Sequence, residues 1–244
     1  MFLTIVVPVV VAVAGLMLVH RLVPSELRED HNDVAGFIYA VLGVSYAVLL
    51  GLVLVAVWQD YEASRTDLDS EANELAGIYH LAAQFPEPER TRVQDLATAY
   101  ARVVVKEEWP MMQRGGASPH AAALLNELRI TLAKFVPHTL GEQVLYEREL
   151  TLIHDMSDAR RLRLLQAREG IPNLLWIVLG GGGVITVCFT YLFGLKNNWA
   201  HVLMVAALTL VICGILFTIA ELDYPFAGVV KIQPDALREV LGSF

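Results

Sequence analysis

Four stretches of the chain carry almost no charge: Phe2 to Val19, Val34 to Trp58, Ile171 to Leu195, and Asn197 to Ala220, the last interrupted only by His201 near its start. At about 1.5 Å of helical rise per residue, runs of this length match a hydrocarbon core of about 30 Å, so each predicts a membrane-spanning helix. The second meets neither Gly nor Pro at its exit. From Leu52 to Ala76 every residue tolerates a helix, which predicts one rod continuing from the span into a polar region.

Between the second and third spans the pattern changes to short amphipathic helices separated by Pro and Gly. Pro86-Glu87-Pro88 breaks the first. Val93, Leu96, Tyr100, Val103 and Val104 give the next an apolar face, with an end expected near Trp109-Pro110. After a Gly115-Gly116 loop, Ser118 offers a cap and Pro119 a first helical position; Ala121, Leu124, Leu125, Leu128, Leu132 and Phe135 then recur at helical spacing until Pro137. A last helix, about Gly141 to Glu169, leads to the third span. No run alternates at period two. The expected fold is an all-α polytopic membrane protein of four transmembrane helices, with a helical cytoplasmic domain inserted between spans two and three. Its parts are spans one and two at 1–58, the cytoplasmic domain at 59–170, spans three and four at 171–222, and a tail at 223–244 packed on that domain.

Within the second span, Gly36, Ala40, Gly43, Ala47 and Gly51 share one helical face, where small side chains allow another helix to approach closely. The opposite face carries Ile38, Leu42, Ser45, Leu49 and Leu52, the candidates for lining a pore. A narrow apolar constriction can gate by shedding its water. A helix simply buried in a bundle or touching lipid fits the same pattern. Farther along, Asp67, Glu71 and Glu74 fall at i, i+4 and i+7, a stripe that a symmetric oligomer would stack into carboxylate rings of a vestibule, or that is simply a solvated face.

Composition agrees with the membrane reading: 55% of residues are hydrophobic, 18% are charged, and the mean hydropathy is +0.50. Residues 59–170 hold 18 acids against 13 bases, which argues against a nucleic-acid surface. Arg65, Arg160, Arg161, Arg163, Arg168, Lys231 and Arg238 lie on the side of the large domain and C-terminus, against Arg21, Arg28 and Lys196 on the other, which predicts that domain and both termini in the cytoplasm. Ala12-Val13-Ala14 has the look of a leader cleavage site, but no Lys or Arg precedes the apolar run, so the first stretch is read as a span. Cys188 and Cys213 both fall inside spans, and no disulfide framework follows.

Catalytic constellations are missing. His80, His120, His138 and His154 are dispersed, and His154 with Asp158 reads as a surface i, i+4 pair. Gly180 to Gly183 lies within a span and reads as a packing or bending site rather than a phosphate cradle. His20, Glu26, Glu29, Asp30, His31 and Asp33, around the first hairpin, form either a metal or proton site or a solvated loop. No spacing there matches a ligand motif, so neither metal nor cofactor is predicted and the chain is read as a non-enzyme.

The fourth span ends in Glu221-Leu222-Asp223-Tyr224-Pro225-Phe226-Ala227-Gly228, where Pro225 stops the helix and Gly228 allows a sharp turn. This acid-x-Pro-Phe-x-Gly turn, carried by Glu221, Asp223, Pro225, Phe226 and Gly228, resembles that of the bestrophin family of ion channels. So do the four-span layout and the second span leading to Tyr61-Glu62, and the nearest likeness is to the bacterial bestrophin-like membrane proteins. The resemblance implies a second helix lining a pore among five subunits, in a plasma (inner) membrane, with the lipid bilayer, small inorganic ions and further copies of the chain as partners. Val229-Val230-Lys231-Ile232 replaces the family's acidic calcium clasp, and the aromatic constriction of animal bestrophins is not reproduced in Val34 to Trp58. Calcium activation and anion selectivity therefore do not transfer. The expected function is a homo-oligomeric ion channel with its pore on the second spans; the alternative is a non-conducting, membrane-anchored interaction or sensor protein.

Overall fold

The computed structural model describes residues 2–24, 28, 32–195 and 197–244. Its elements are helical throughout: α1 (Phe2–Leu22), α2 (Asn32–Ala82), α3 (Glu89–Val103), a π-helical turn (Val104–Glu108), α4 (Trp109–Met112), α5 (Pro119–Ala133), α6 (Leu140–Gln166), α7 (Asn173–Thr190), α8 (Asn198–Leu222) and α9 (Asp235–Ser243). No strand occurs among the described residues. Helices α1, α2, α7 and α8 are long and apolar enough to cross a membrane. The chain divides into two compact units, Met1–Gln59 with Ile171–Asp223, and Asp60–Gly170 with Tyr224–Phe244. The rod expected from Leu52 onward is found as the single helix α2, which contributes to both units.

In the first unit α8 packs against α1 and α7, burying Leu16, Leu179, Val187, Val205, Ile212 and Ile219. Glycine allows the closest approaches. A Cβ on Gly182 would stand 2.7 Å from the Tyr46 ring and one on Gly183 2.9 Å from the Tyr46 hydroxyl, so both positions are reserved for that side chain. Tyr46 Oη donates to the Leu179 carbonyl at 2.8 Å, and Tyr191 Oη to that of Ala12 at 2.8 Å.

Several polar groups of this unit are tied together at one set of helix ends. Asn32 exchanges two hydrogen bonds with the backbone of Gly194, at 2.8 and 3.0 Å, and Arg28 Nη1 donates to the Phe193 carbonyl. His201, buried in α8, lies 3.0 Å through Nε2 from the Thr190 carbonyl and 3.1 Å through Nδ1 from His20 Nε2. A carbonyl only accepts, so His201 Nε2 carries a proton; a neutral His201 then accepts from His20 at Nδ1. His20 is thus paired across helices. Glu26, Glu29, Asp30 and His31 of the hairpin cluster lie outside the described residues.

The second unit has its own core. Leu68, Ala72, Leu75 and Ile78 of α2 pack with Val93, Ala97 and Tyr100 of α3, Leu125, Leu128 and Leu132 of α5, Leu152, Ile153 and Met156 of α6, and Leu237 of α9. Sequence signals set the helix starts. Ser118 accepts from the Ala121 amide ahead of Pro119, and Thr139 with Glu142 forms a reciprocal capping box at the head of α6. One boundary departs from expectation: helix does not end at Trp109-Pro110 but continues to Met112. The turn before Pro110 is widened, the Trp109 amide reaching back five residues to the Val104 carbonyl. Such widening accommodates a residue that has no N–H and crowds the preceding turn.

Candidate functional site

Helix α2 turns one face toward its own unit, and it is neither of the two singled out by composition. Tyr46, Leu50, Val53 and Val57, at i, i+4, i+7 and i+11, are the residues it buries between 34 and 58. Most of the small-residue face stays uncovered: a Cβ on Gly43 or Gly51 would meet nothing within 4 Å and Ala40 and Ala47 are exposed, whereas one on Gly36 would lie 3.9 Å from Phe193. On the opposite side Ile38, Ser45 and Leu52 are exposed while Leu42 and Leu49 are half-buried. Directly away from the buried face runs an apolar stripe, Phe37, Val41, Val44, Val48 and Val55, between 55% and 75% exposed. A helix hydrophobic all round, with one face packed, is suited to lipid or to further helices on the remaining faces.

The second unit contains a buried charge network. Arg163 of α6, fully buried, donates through Nε and Nη2 to Glu71 at 2.5 and 2.9 Å, and through Nη2 to Glu108 at 2.9 Å. Arg160 also binds Glu108, Tyr100 Oη donates to Glu71 at 2.6 Å, and Glu108 accepts from the Ser118 amide. Met112 Sδ and the Trp109 ring complete the guanidinium's surroundings. Two carboxylates and two guanidinium groups balance, as burial in low dielectric demands. Burial pushes the Glu108 carboxyl up, but Arg163 and Arg160 outweigh it and hold the carboxyl below its ordinary value. The Tyr100 hydroxyl is pushed well above its usual value by burial and by Glu71.

This network changes the reading of the acidic stripe. Glu71 points inward and is fully buried, because on α2 it continues the apolar row of Leu68, Ala72 and Leu75. Asp67, half-buried, accepts from Gln166 Nε2 at 2.8 Å, and Glu74 is half-buried. The three acids share a helix side, but it is the side facing their own unit. Arg160 and Arg163, expected among the orienting charges, are likewise consumed in internal pairs.

The residues after the fourth span are structural anchors. Asp223 Oδ1 accepts from the Ile171 amide at 2.7 Å. Phe226, 2% exposed, meets Trp109 edge-on at 5.5 Å, and the Pro225 carbonyl accepts from the Ile232 amide at 2.8 Å. Gly228 adopts φ of 79°, the left-handed geometry that its place in the turn requires. Glu221 is half-buried at the end of α8. Among the described residues, no group of three or more His, Cys, Asp or Glu is arranged to hold a metal ion.

Sequence reasoning missed the partners of Glu71. Arg163 stands 92 positions away, and only its register on the apolar row of Leu152, Met156 and Ala159 signals that it points inward.

These features define a class: an all-helical membrane protein with four candidate spans and a separately cored helical unit braced by buried ion pairs. The chain belongs to the Bestrophin-like family, whose domain model matches residues 6–237. Among solved structures it is similar to a bacterial bestrophin homologue from Klebsiella pneumoniae: one structure phased on zinc has a TM-score of 0.73 at 11% identity, covering 97% of this chain and 95% of that one. A point variant of that homologue gives a TM-score of 0.75 at 10% identity, with coverages of 98% and 96%. At such identity the likeness is one of fold. No curated protein matches the chain.

Proposed function

We propose that this chain is one subunit of a homo-oligomeric ion channel whose central pore is lined by the second span, and that five copies assemble, as the bestrophin resemblance implies. The observation that carries this reading is the packing of α2. Between residues 34 and 58 it fully buries only the Tyr46, Leu50, Val53 and Val57 row and leaves the apolar stripe opposite that row and most of the small-residue face exposed. Small residues at Gly43, Ala47 and Gly51 favour a neighbouring helix, because in lipid close van der Waals packing is what draws helices together. Adjacent copies would use that face, and the stripe of Phe37, Val41, Val44, Val48, Leu52 and Val55, turned from its own unit, would face the axis. Of the pore-lining candidates, Leu52 belongs to that stripe and Ser45 and then Ile38 lie beside it, whereas the half-buried Leu42 and Leu49 turn toward the chain's own interior. A ring of Val and Leu is an apolar constriction, suited to gating by dewetting. The second unit is assigned to the cytoplasm of the cell envelope's inner membrane. With Arg160 and Arg163 set aside, Arg65, Arg161, Arg168, Lys231 and Arg238 still outnumber Arg21, Arg28 and Lys196.

Purified protein reconstituted in bilayers tests the proposal. Ion flux that changes on Val48→Ser supports it. A discrete oligomer that passes no ion at any pH, voltage or calcium concentration overturns it in favour of a membrane-anchored interaction or sensor protein.

A further inference from the structure

Glu149 of α6 is fully buried in the second unit, and neither of its carboxylate oxygens has a hydrogen-bond partner. It sits on the core-facing row of α6, followed by Leu152, Ile153 and Met156. One turn on, Leu152 packs over Gly77 so closely that a Cβ there would lie 3.1 Å from it.

The charged groups on the elements packed around α6 are either paired with other residues or exposed. On α2, Glu71 is bound to Arg163, while Glu74 interacts electrostatically with Asp155 and Arg148 of α6. In the π-helical turn Glu108 holds Arg160 and Arg163, and Glu107 faces His120. On α5, Glu127 pairs with Arg92 while Arg129 is exposed, and His80 of α2 and Lys134 are exposed as well. Among the described residues no cation is bonded to Glu149.

We propose that Glu149 couples proton release to the opening of α6: it is a neutral acid in the closed packing and becomes a carboxylate only when water reaches it. An isolated buried carboxylate is far more costly than a buried carboxylic acid, so ionisation favours exposure. Burial alone pushes its carboxyl from 4.5 to about 8, in line with that geometry. The sign follows. Below 4.5 both closed and open forms hold the proton and opening is independent of pH; from there up to about 8 only the closed form holds it, so opening is favoured as pH rises. The gain is about tenfold in the opening equilibrium per pH unit, levelling off once the closed form also ionises. The second unit would in this way report pH within the range met by a cell.

Amide hydrogen exchange of the full-length protein in detergent micelles, corrected for the intrinsic pH dependence of exchange, tests this directly. For amides around Leu145 to Met156, the opening equilibrium is expected to rise about a hundredfold between pH 5.5 and 7.5 in the native protein and to stay level in Glu149→Gln and Glu149→Leu. Identical pH profiles in native and variant proteins would overturn the proposal. Should the variants not fold, infrared difference spectroscopy of the native protein decides: a protonated-carboxyl band that persists at neutral pH and disappears in alkali supports it, and the lack of one refutes it. Neither readout involves ion flux, so the result is independent of whether the chain conducts.

Discussion

Replacing Arg163 by Met should be among the most damaging single changes in the second unit, for reasons of charge rather than volume. The guanidinium, Glu71 and Glu108 are each fully buried, and among the described residues Arg163 is the only cation bonded to Glu71. Glu108 would keep Arg160, but Glu71 would be left with the Tyr100 hydroxyl alone. Breaking a buried pair from one side costs about 3–5 kcal/mol, because an uncompensated charge stays behind. For a chain of this size that corresponds to a fall in melting temperature of about 6–20 °C, measurable by thermal unfolding in detergent. Removing the rest of the unit, as Arg163→Met with Glu71→Leu and Tyr100→Phe, should recover more than half of the loss, since an apolar replacement of a buried pair is often neutral or better. Arg238→Met is the control. Its partner Asp235 is exposed, and such pairs contribute at most about 1 kcal/mol. If Arg163→Met moves the melting temperature no further than Arg238→Met does, the network is not a buried, charge-balanced unit.

Other positions give sharper contrasts. Gly182→Ala places a Cβ 2.7 Å from the Tyr46 ring and should destabilise by about 1–3 kcal/mol, while Gly181→Ala, with nothing within 4 Å, should be close to neutral; thermal unfolding of the two compares them. Ser118→Ala removes the cap of α5 and should cost about 1 kcal/mol, read as a lower denaturant midpoint at unchanged slope. Phe226→Ala empties a site against Trp109 and should cost about 3–5 kcal/mol, with a change in tryptophan fluorescence as its local signature.

Much of the architecture is legible along the chain because membrane spans and caps are local. An uncharged run long enough for the bilayer announces itself without reference to any other segment. So do the Ser118-Pro119 start, the Pro86-Glu87-Pro88 break and the Pro225 to Gly228 turn. Helix runs on past Trp109-Pro110 because Pro110 is a breaker only where the preceding turn keeps α geometry, and here it widens. Helical spacing relates Glu71 equally to Asp67 and to the apolar row of Leu68, Ala72 and Leu75, so the sequence alone does not tell an exposed acid from a buried one here. An acid on such a row is inward only if a cation comes to meet it.

The amino-acid sequence by itself determined the number of apolar helices, the continuity of α2 and the family, since these rest on composition, periodicity and short motifs. Which face of α2 its own unit covers, and which acids are buried, was decided only by tertiary structure. Glu71 finds Arg163, Tyr46 finds Gly182 and Gly183, and Glu149 finds no hydrogen-bond partner among the described residues. Each outcome depends on what another helix, distant in sequence, brings within a few ångströms, and a helix's own periodicity carries no record of its neighbour.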